Sequence, residues 1–430
     1  MKIILSIKDI ACAGLMTASL LACGGCKEKA KNPNVGTGEQ GGQTPAKLES
    51  IRQAGYPVTL TELQAWYVEP PAGQNGAAAY QQAFDALAPN SSGKPTFLKD
   101  NPKALQLLHA AATGKKCRYP VNLNDGAVAL LPHLAKVKTS AQLLKQAAIA
   151  QADGGRLDLA AQSITDGWLL ARTLEDEPTL ISQYLRIAAE MATHIALGEV
   201  LSRKAPSEAQ LAAQKDALGE SDGMAGITRA VAGERAMGIG LFELTPEKLA
   251  KFLAMTDKPP KDFSAEAYRK SPAYEADLGF YLDRLEELLA ATALPFPNSL
   301  EAASRSSEKA SQAKSKGLQI SAIMLPSLFS ALERFGEAAA QKRATRAGLA
   351  VERYRLAHQN ALPDTLDQLV PQFLAAVPAD PFDGNPLRYR KESPAGYVIY
   401  SIAKHKIDDG GKSKEGAPDS SYDVGLTVRR

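Results

Sequence analysis

Apolar residues recur at intervals of three and four along most of the chain, the spacing of helices that bury one face. The first such run is Leu60, Leu63, Trp66 and Tyr67. It is preceded by Thr59-Leu60-Thr61-Glu62, which predicts a capping box: the Thr59 hydroxyl serves one free N–H at the helix start and Glu62 reaches back. Pro70 and Pro71 end that helix, Ala77–Leu87 predicts another, and Pro89–Pro102 reads as a polar break. A short helix over Lys103–Ala112 follows, then an irregular stretch over Lys115–Asp125. Leu130, Leu131, Leu134 and Val137 open the main helical body. There Ala141–Ala152 and Leu157–Leu174 are predicted helices joined by Gly154-Gly155-Arg156, and Pro178 opens a third that runs to about Leu201.

Further helices are marked by their start signals. Pro206-Ser207-Glu208-Ala209-Gln210 begins one that ends near Gly219, and Thr245-Pro246 places a cap and a first-turn proline. Ile227–Leu244 and Tyr281–Leu294 carry the same periodicity. Lys258-Pro259-Pro260-Lys261 breaks the chain, and Ser304–Lys316 reads as exposed chain or polar helix. Leu318–Leu332 is apolar but too short to span a bilayer, which takes about 20 residues. It is expected to be the start of a long core helix reaching His358. Beyond it the period changes. Turn residues crowd Val377–Tyr389, and Leu387–Arg390 and Tyr397–Ile402 are strand candidates in a small antiparallel sheet. The fold class is therefore mainly α, a helical body over 46–317 followed by a small α+β head over 318–430.

The first 45 residues have a different character. Lys2 and Lys8 precede a short apolar run, Ile10–Ala22, that ends in Leu20-Leu21-Ala22-Cys23. That pattern looks like a bacterial lipoprotein signal peptide over 1–22, with cleavage before Cys23 and a lipid on its sulfur. Residues 23–45 are rich in Gly, Lys, Asn and Gln and read as a disordered tether with a reach of about 25 Å. Gly24, rather than Asp, after the lipid-bearing cysteine resembles an outer-membrane address. The expected location is the cell envelope, anchored by lipid and facing the periplasm or exterior. With Cys12 removed and Cys23 acylated, Cys26 and Cys117 remain, both expected as free thiols. A net charge of +3 over 430 residues, with no basic block, gives nucleic acid no surface to bind.

No nucleophile elbow, phosphate loop or His-Glu-x-x-His run appears, and Gly238-Ile239-Gly240 belongs to no strand–loop–helix unit. His109, His133, His194, His358 and His405 are scattered, and each is assigned a surface or core role. Glu175, Asp176 and Glu177 read as a solvated turn. Helix, glycine turn, helix and proline over 141–178 resembles one tetratricopeptide unit, with no second copy at a period of about 34 residues.

The order after Leu349 resembles the globular head of the major pseudopilins of type II secretion. A helix ends near Tyr354, Asp380-Pro381-Phe382-Asp383-Gly384-Asn385-Pro386 makes a corner, a small sheet follows, and a Gly/Asp loop closes at Tyr422-Asp423-Val424. The pilin maturation motif is absent. The resemblance implies calcium in the loop, a hard ion that takes oxygen ligands. Asp423 falls on the family's closing aspartate. The family's earlier aspartate falls near His405, between Lys404 and Lys406, so Asp408 and Asp409 enter as calcium ligands by a shift of a few residues.

The function expected from these readings is a non-enzymatic scaffold or module that binds envelope proteins or peptides. The alternatives are an accessory part of a type II secretion-like apparatus, and a hydrolase whose site is dispersed over the helices. A cleft that gathers one histidine and two carboxylates would favour the hydrolase; an apolar groove would favour the binding module.

Overall fold

The computed structural model describes residues 43–256, 263–393, 395–412 and 422–430. The signal peptide, Cys23, Cys26 and the 258–261 break lie outside the described residues. So does the tether, except that Gln43, Thr44 and Pro45 already form the first turn of a helix, α1 (Gln43–Gln53).

The chain is mainly helical, with one small antiparallel sheet near its C-terminus. The local start signals work as written. α2 (Leu60–Trp66) carries the Thr59/Glu62 capping box, α9 (Glu208–Leu218) is boxed by Ser207 and Gln210, and Thr245 caps α11 (Pro246–Ala254). In between lie α3 (Ala77–Asp85), α4 (Phe97–Asp100), α5 (Pro102–Ala111), α6 (Pro132–Asp153), α7 (Leu157–Arg172), α8 (Leu180–Arg203) and α10 (Met224–Glu243). The 89–102 stretch is thus not a plain polar break. Phe97 in α4 is fully buried, and Asn101 stitches the turn through Ser91 and the Phe97 carbonyl.

α6, α7 and α8 pack against one another as successive hairpins. The Gly154-Gly155 turn allows the first reversal, with Gly155 at φ +73°. After α12 (Ala265–Arg269) and α13 (Pro272–Thr292), the 304–316 region is α-helical as far as Ala310 and continues as a 3-10 turn over Ser311–Ala313. α14 (Asn298–Ala310) turns a stripe of small residues inward, Ser299, Ala303, Ser306 and Ala310.

The organising element is α15 (Gln319–Ala357), 39 residues long and therefore about 58 Å from end to end. Pro326 sits inside it on the exposed side, where water can take the carbonyl freed by the missing N–H. From Phe335 to Glu352 nearly every side chain is buried, and Ala338, Ala339, Ala340, Ala344, Ala347 and Gly348 keep that stretch thin. Other elements therefore approach it closely all round. α8, α9, α10, α13 and α14 pack on it, as do two strands of the sheet.

The sheet has the order β1 (Arg388–Lys391), β2 (Tyr397–Ser401) and β3 (Val424–Val428), antiparallel throughout, with Ile399 facing Leu426. Leu426 fits between two helical glycines. A Cβ on Gly348 would stand 2.2 Å from Leu426 Cδ2, and one on Gly198 would stand 3.2 Å from its Cδ1. Gly348 is required by that approach. One continuous apolar core runs from Ala148, Trp168 and Leu197 in the hairpins through Ala347 and Val351 to Tyr397, Ile399 and Leu426 in the sheet.

The Asp380–Pro386 corner is built around a buried charge. Asp380 is fully buried and accepts from Ser401 Oγ (2.7 Å), the N–H groups of Phe382 and Ile402 (both 3.0 Å) and Arg388 Nη1 (2.6 Å). Four charge-assisted bonds leave it no unmet demand. They also fix where β2 ends and the following loop begins. Among the described residues, no helix is long and apolar enough to cross a membrane.

Candidate functional site

Among the described residues, four side-chain clusters could carry chemistry, and one groove could carry binding. The first is the α7–α8 connection, where the expected solvated acidic turn is wrong for Glu177, which is fully buried. Its carboxylate takes the Ser182 hydroxyl at 2.5 Å and the His133 Nε2 at 3.0 Å, with the Tyr67 hydroxyl at 3.4 Å. Thr179 Oγ1 lies 2.6 Å from Ser182 Oγ and caps α8. Gln183 Nε2 donates to the carbonyls of Leu174 and Glu177. Tyr119 stacks on His133 with centroids 4.3 Å apart. Serine, histidine and a carboxylate are adjacent here, but Ser182 donates to Glu177 rather than to the imidazole. The set is sealed, with His133 only 4% exposed. It ties a turn to a helix start.

A second pair, His109 Nδ1 and Asp166 Oδ2 at 2.5 Å, sits at the edge of α5 and α7. Burial raises the Asp166 carboxyl, partly offset by His109. Cys117 is free and buried, its thiol pushed up to about 12 by burial, which leaves it unreactive at neutral pH.

Between α8 and α15 lies a third cluster. Lys342 Nζ is 3.0 Å from Glu190, which also has Arg186 at 3.5 Å. Burial alone would raise the Glu190 carboxyl, but Lys342 and Arg186 outweigh it and hold it down at about 2. His194, stacked edge-on to Trp168 and bonded to Thr345 at 2.8 Å, is held neutral by burial, its pKa lowered to about 3.

The fourth place is the loop between β2 and β3. His405, Asp409 and Asp423 converge there, each offering one ligand atom within 4.8 Å of the others. The loop leaves β2 at Ala403, turns through Lys406, both at positive φ, and reverses again at Gly410 and Gly411, also both left-handed. Gly411 can then donate its N–H to Asp423 Oδ2 at 2.7 Å, while the Asp423 N–H donates to the Lys412 carbonyl. Burial raises the Asp423 carboxyl above its usual range; the Gly411 N–H offsets part of this, and Asp408 and Asp409 add repulsion.

The structure therefore divides the three expected calcium ligands. Asp409 and Asp423 face each other, but Asp408 is exposed and bonded to the Tyr400 hydroxyl (3.0 Å) and the Gly410 N–H (2.9 Å). His405, assigned to a surface or core role from sequence, takes its place. One histidine and two carboxylates do converge, in the head rather than in a cleft of the helical body.

An open groove of about 630 Å³ lies elsewhere, where the α6–α7 turn, the α8–α9 connection and the end of α15 meet. Leu157, Leu159, Pro206 and Leu356 give it apolar lining, and the charged Arg156 and Asp158 line it too. Comparison of the chain with protein-family models, with curated proteins and with solved structures found no match.

Proposed function

We propose that this chain is a lipid-anchored cell-envelope protein whose helical body is a non-enzymatic scaffold that binds a protein or peptide. The address rests on the signal pattern ending at Cys23. The groove beside α15 carries the binding part of the reading. Leu159 and Leu356 are large apolar side chains left 40% and 41% exposed on its walls. Charged residues in its lining suit an amphipathic segment of a partner better than a wholly apolar ligand. Rigid packing of α6, α7, α8 and α15 beneath it supplies a preformed surface.

Two other readings each draw on one observation. An accessory role in a type II secretion-like apparatus draws on the Asp380–Pro386 corner and the small sheet after a long helix. Hydrolysis draws on His405, Asp409 and Asp423, which lie away from the groove. A fold alone assigns neither.

Site-specific photo-crosslinking in cells tests the groove. A crosslinker at Leu356 is expected to give one discrete adduct that disappears when Leu159→Glu is added. The same crosslinker at Val68, exposed on another element, is expected to give none. No adduct at Leu356, or the same adduct at both positions, would sink the binding reading.

A further inference from the structure

We propose that His405, Asp409 and Asp423 form a binding site for a zinc-class divalent cation rather than for calcium. The inference stands on the loop geometry and not on the scaffold reading above.

The loop brings three ligand atoms to one spot. Asp423 is 5% exposed, yet among the described residues its Oδ1 has no hydrogen-bond partner; His405 Nε2 and Asp409 Oδ2, also buried atoms, meet only each other, as an ion pair at 3.4 Å. Buried polar atoms are seldom left without a hydrogen bond, and a cation where the three converge would serve all of them. Two carboxylates that face each other in a half-buried loop repel, and a cation between them removes that repulsion.

The donor set decides which cation. Calcium takes six to eight oxygens, and the third aspartate that the pseudopilin resemblance implies, Asp408, is held by Tyr400 and Gly410. The donors among the described residues do not fit that ion. An imidazole nitrogen with two carboxylate oxygens suits a borderline ion, and zinc takes such ligands at about 2.0–2.2 Å in a tetrahedron. The edge of that tetrahedron is about 3.3 Å, and His405 Nε2 and Asp409 Oδ2 are already 3.4 Å apart. Three protein ligands leave the fourth position for water or a further donor.

One local bond must change. His405 Nδ1 accepts the Ile407 N–H at 3.1 Å, whereas a metal on Nε2 requires the ring proton on Nδ1. Ile407 is 60% exposed, so water can take its N–H. Lys404 also interacts electrostatically with Glu337 on α15.

The test is thermal unfolding of the purified full chain after chelator treatment, with Zn²⁺ or Ca²⁺ added, alongside calorimetric titration. An ion that binds only the folded state raises the melting temperature by mass action. Zn²⁺ is expected to bind at one site and raise melting by several degrees, while Ca²⁺ has no effect. His405→Ala and Asp423→Asn are expected to lose the zinc shift and Asp408→Asn to keep it. Asp423→Asn can still accept from Gly411 and removes the carboxylate repulsion, so without metal it is expected to melt no lower than the parent chain. A calcium shift as large as the zinc shift, a zinc shift that survives His405→Ala, or no zinc shift at all would overturn the proposal.

Discussion

Leu426→Ala separates a sheet that merely follows the helices from one that shares their core. Leu426 is 3% exposed and packed against the helical glycines Gly198 and Gly348. Truncation removes three carbons, about 2.4 kcal/mol at roughly 0.8 kcal/mol per buried methylene. Gly198 and Gly348 have no side chains to swing into the space, and the backbones of α8 and α15 are held by their other neighbours. Most of the cavity should persist, which places the total at about 3–5 kcal/mol, in the upper part of the range for buried leucines. Urea unfolding followed by far-ultraviolet circular dichroism reads almost only helix, because the sheet is so small. Tryptophan fluorescence reads Trp66 and Trp168, both in the helical body. If the core is continuous, both signals should shift to lower urea together, by about 1 M for a chain of this size. A helical transition left in place would refute the shared core and make the sheet an independent appendage.

Other consequences follow from particular contacts. Gly348→Ala should cost about 1–3 kcal/mol through its clash with Leu426, and less in the Leu426→Ala background, so a double-mutant cycle in urea should show coupling. Glu177→Ala strands His133 and Ser182 and should cost about 3–5 kcal/mol, whereas Glu175→Ala should stay within about 0.5 kcal/mol; thermal unfolding of both variants checks the contrast. His194 is neutral when folded, with its pKa lowered to about 3, so its contribution is complete above its unfolded value of 6.5 and is lost as pH falls toward 3. That amounts to about 2 kcal/mol by pH 5, and the pH dependence of the urea midpoint should flatten by that amount in His194→Gln.

Local rules made much of the architecture legible. Thr59, Ser207 and Thr245 begin helices because each cap needs only the residues that follow it. The long helix through Pro326 could be read from its apolar run, and the first two strands from the change of period. Partnerships across the fold could not be read. Glu177 sits among acidic neighbours that suggest solvent, and its burial depends on His133, 44 positions away. Leu426 gives no hint in sequence that it needs glycines at 198 and 348. In the C-terminal loop the residue types were visible but their pairing was not. Gly410 and Gly411, both left-handed, turn the chain so that Asp409 and His405 meet Asp423 while Asp408 swings to Tyr400. A signal was available in the loop itself, since His405 stands near the position where the resemblance implies an aspartate.

The envelope address is the claim on which the scaffold reading depends, and intact mass spectrometry of the chain recovered from its native membranes tests it most directly. The account predicts a mature chain that begins at Cys23 and carries the added mass of a diacylglyceryl group, with Cys23→Ser neither cleaved nor lipidated. A chain that keeps residues 1–22, or that begins elsewhere without lipid, would contradict it.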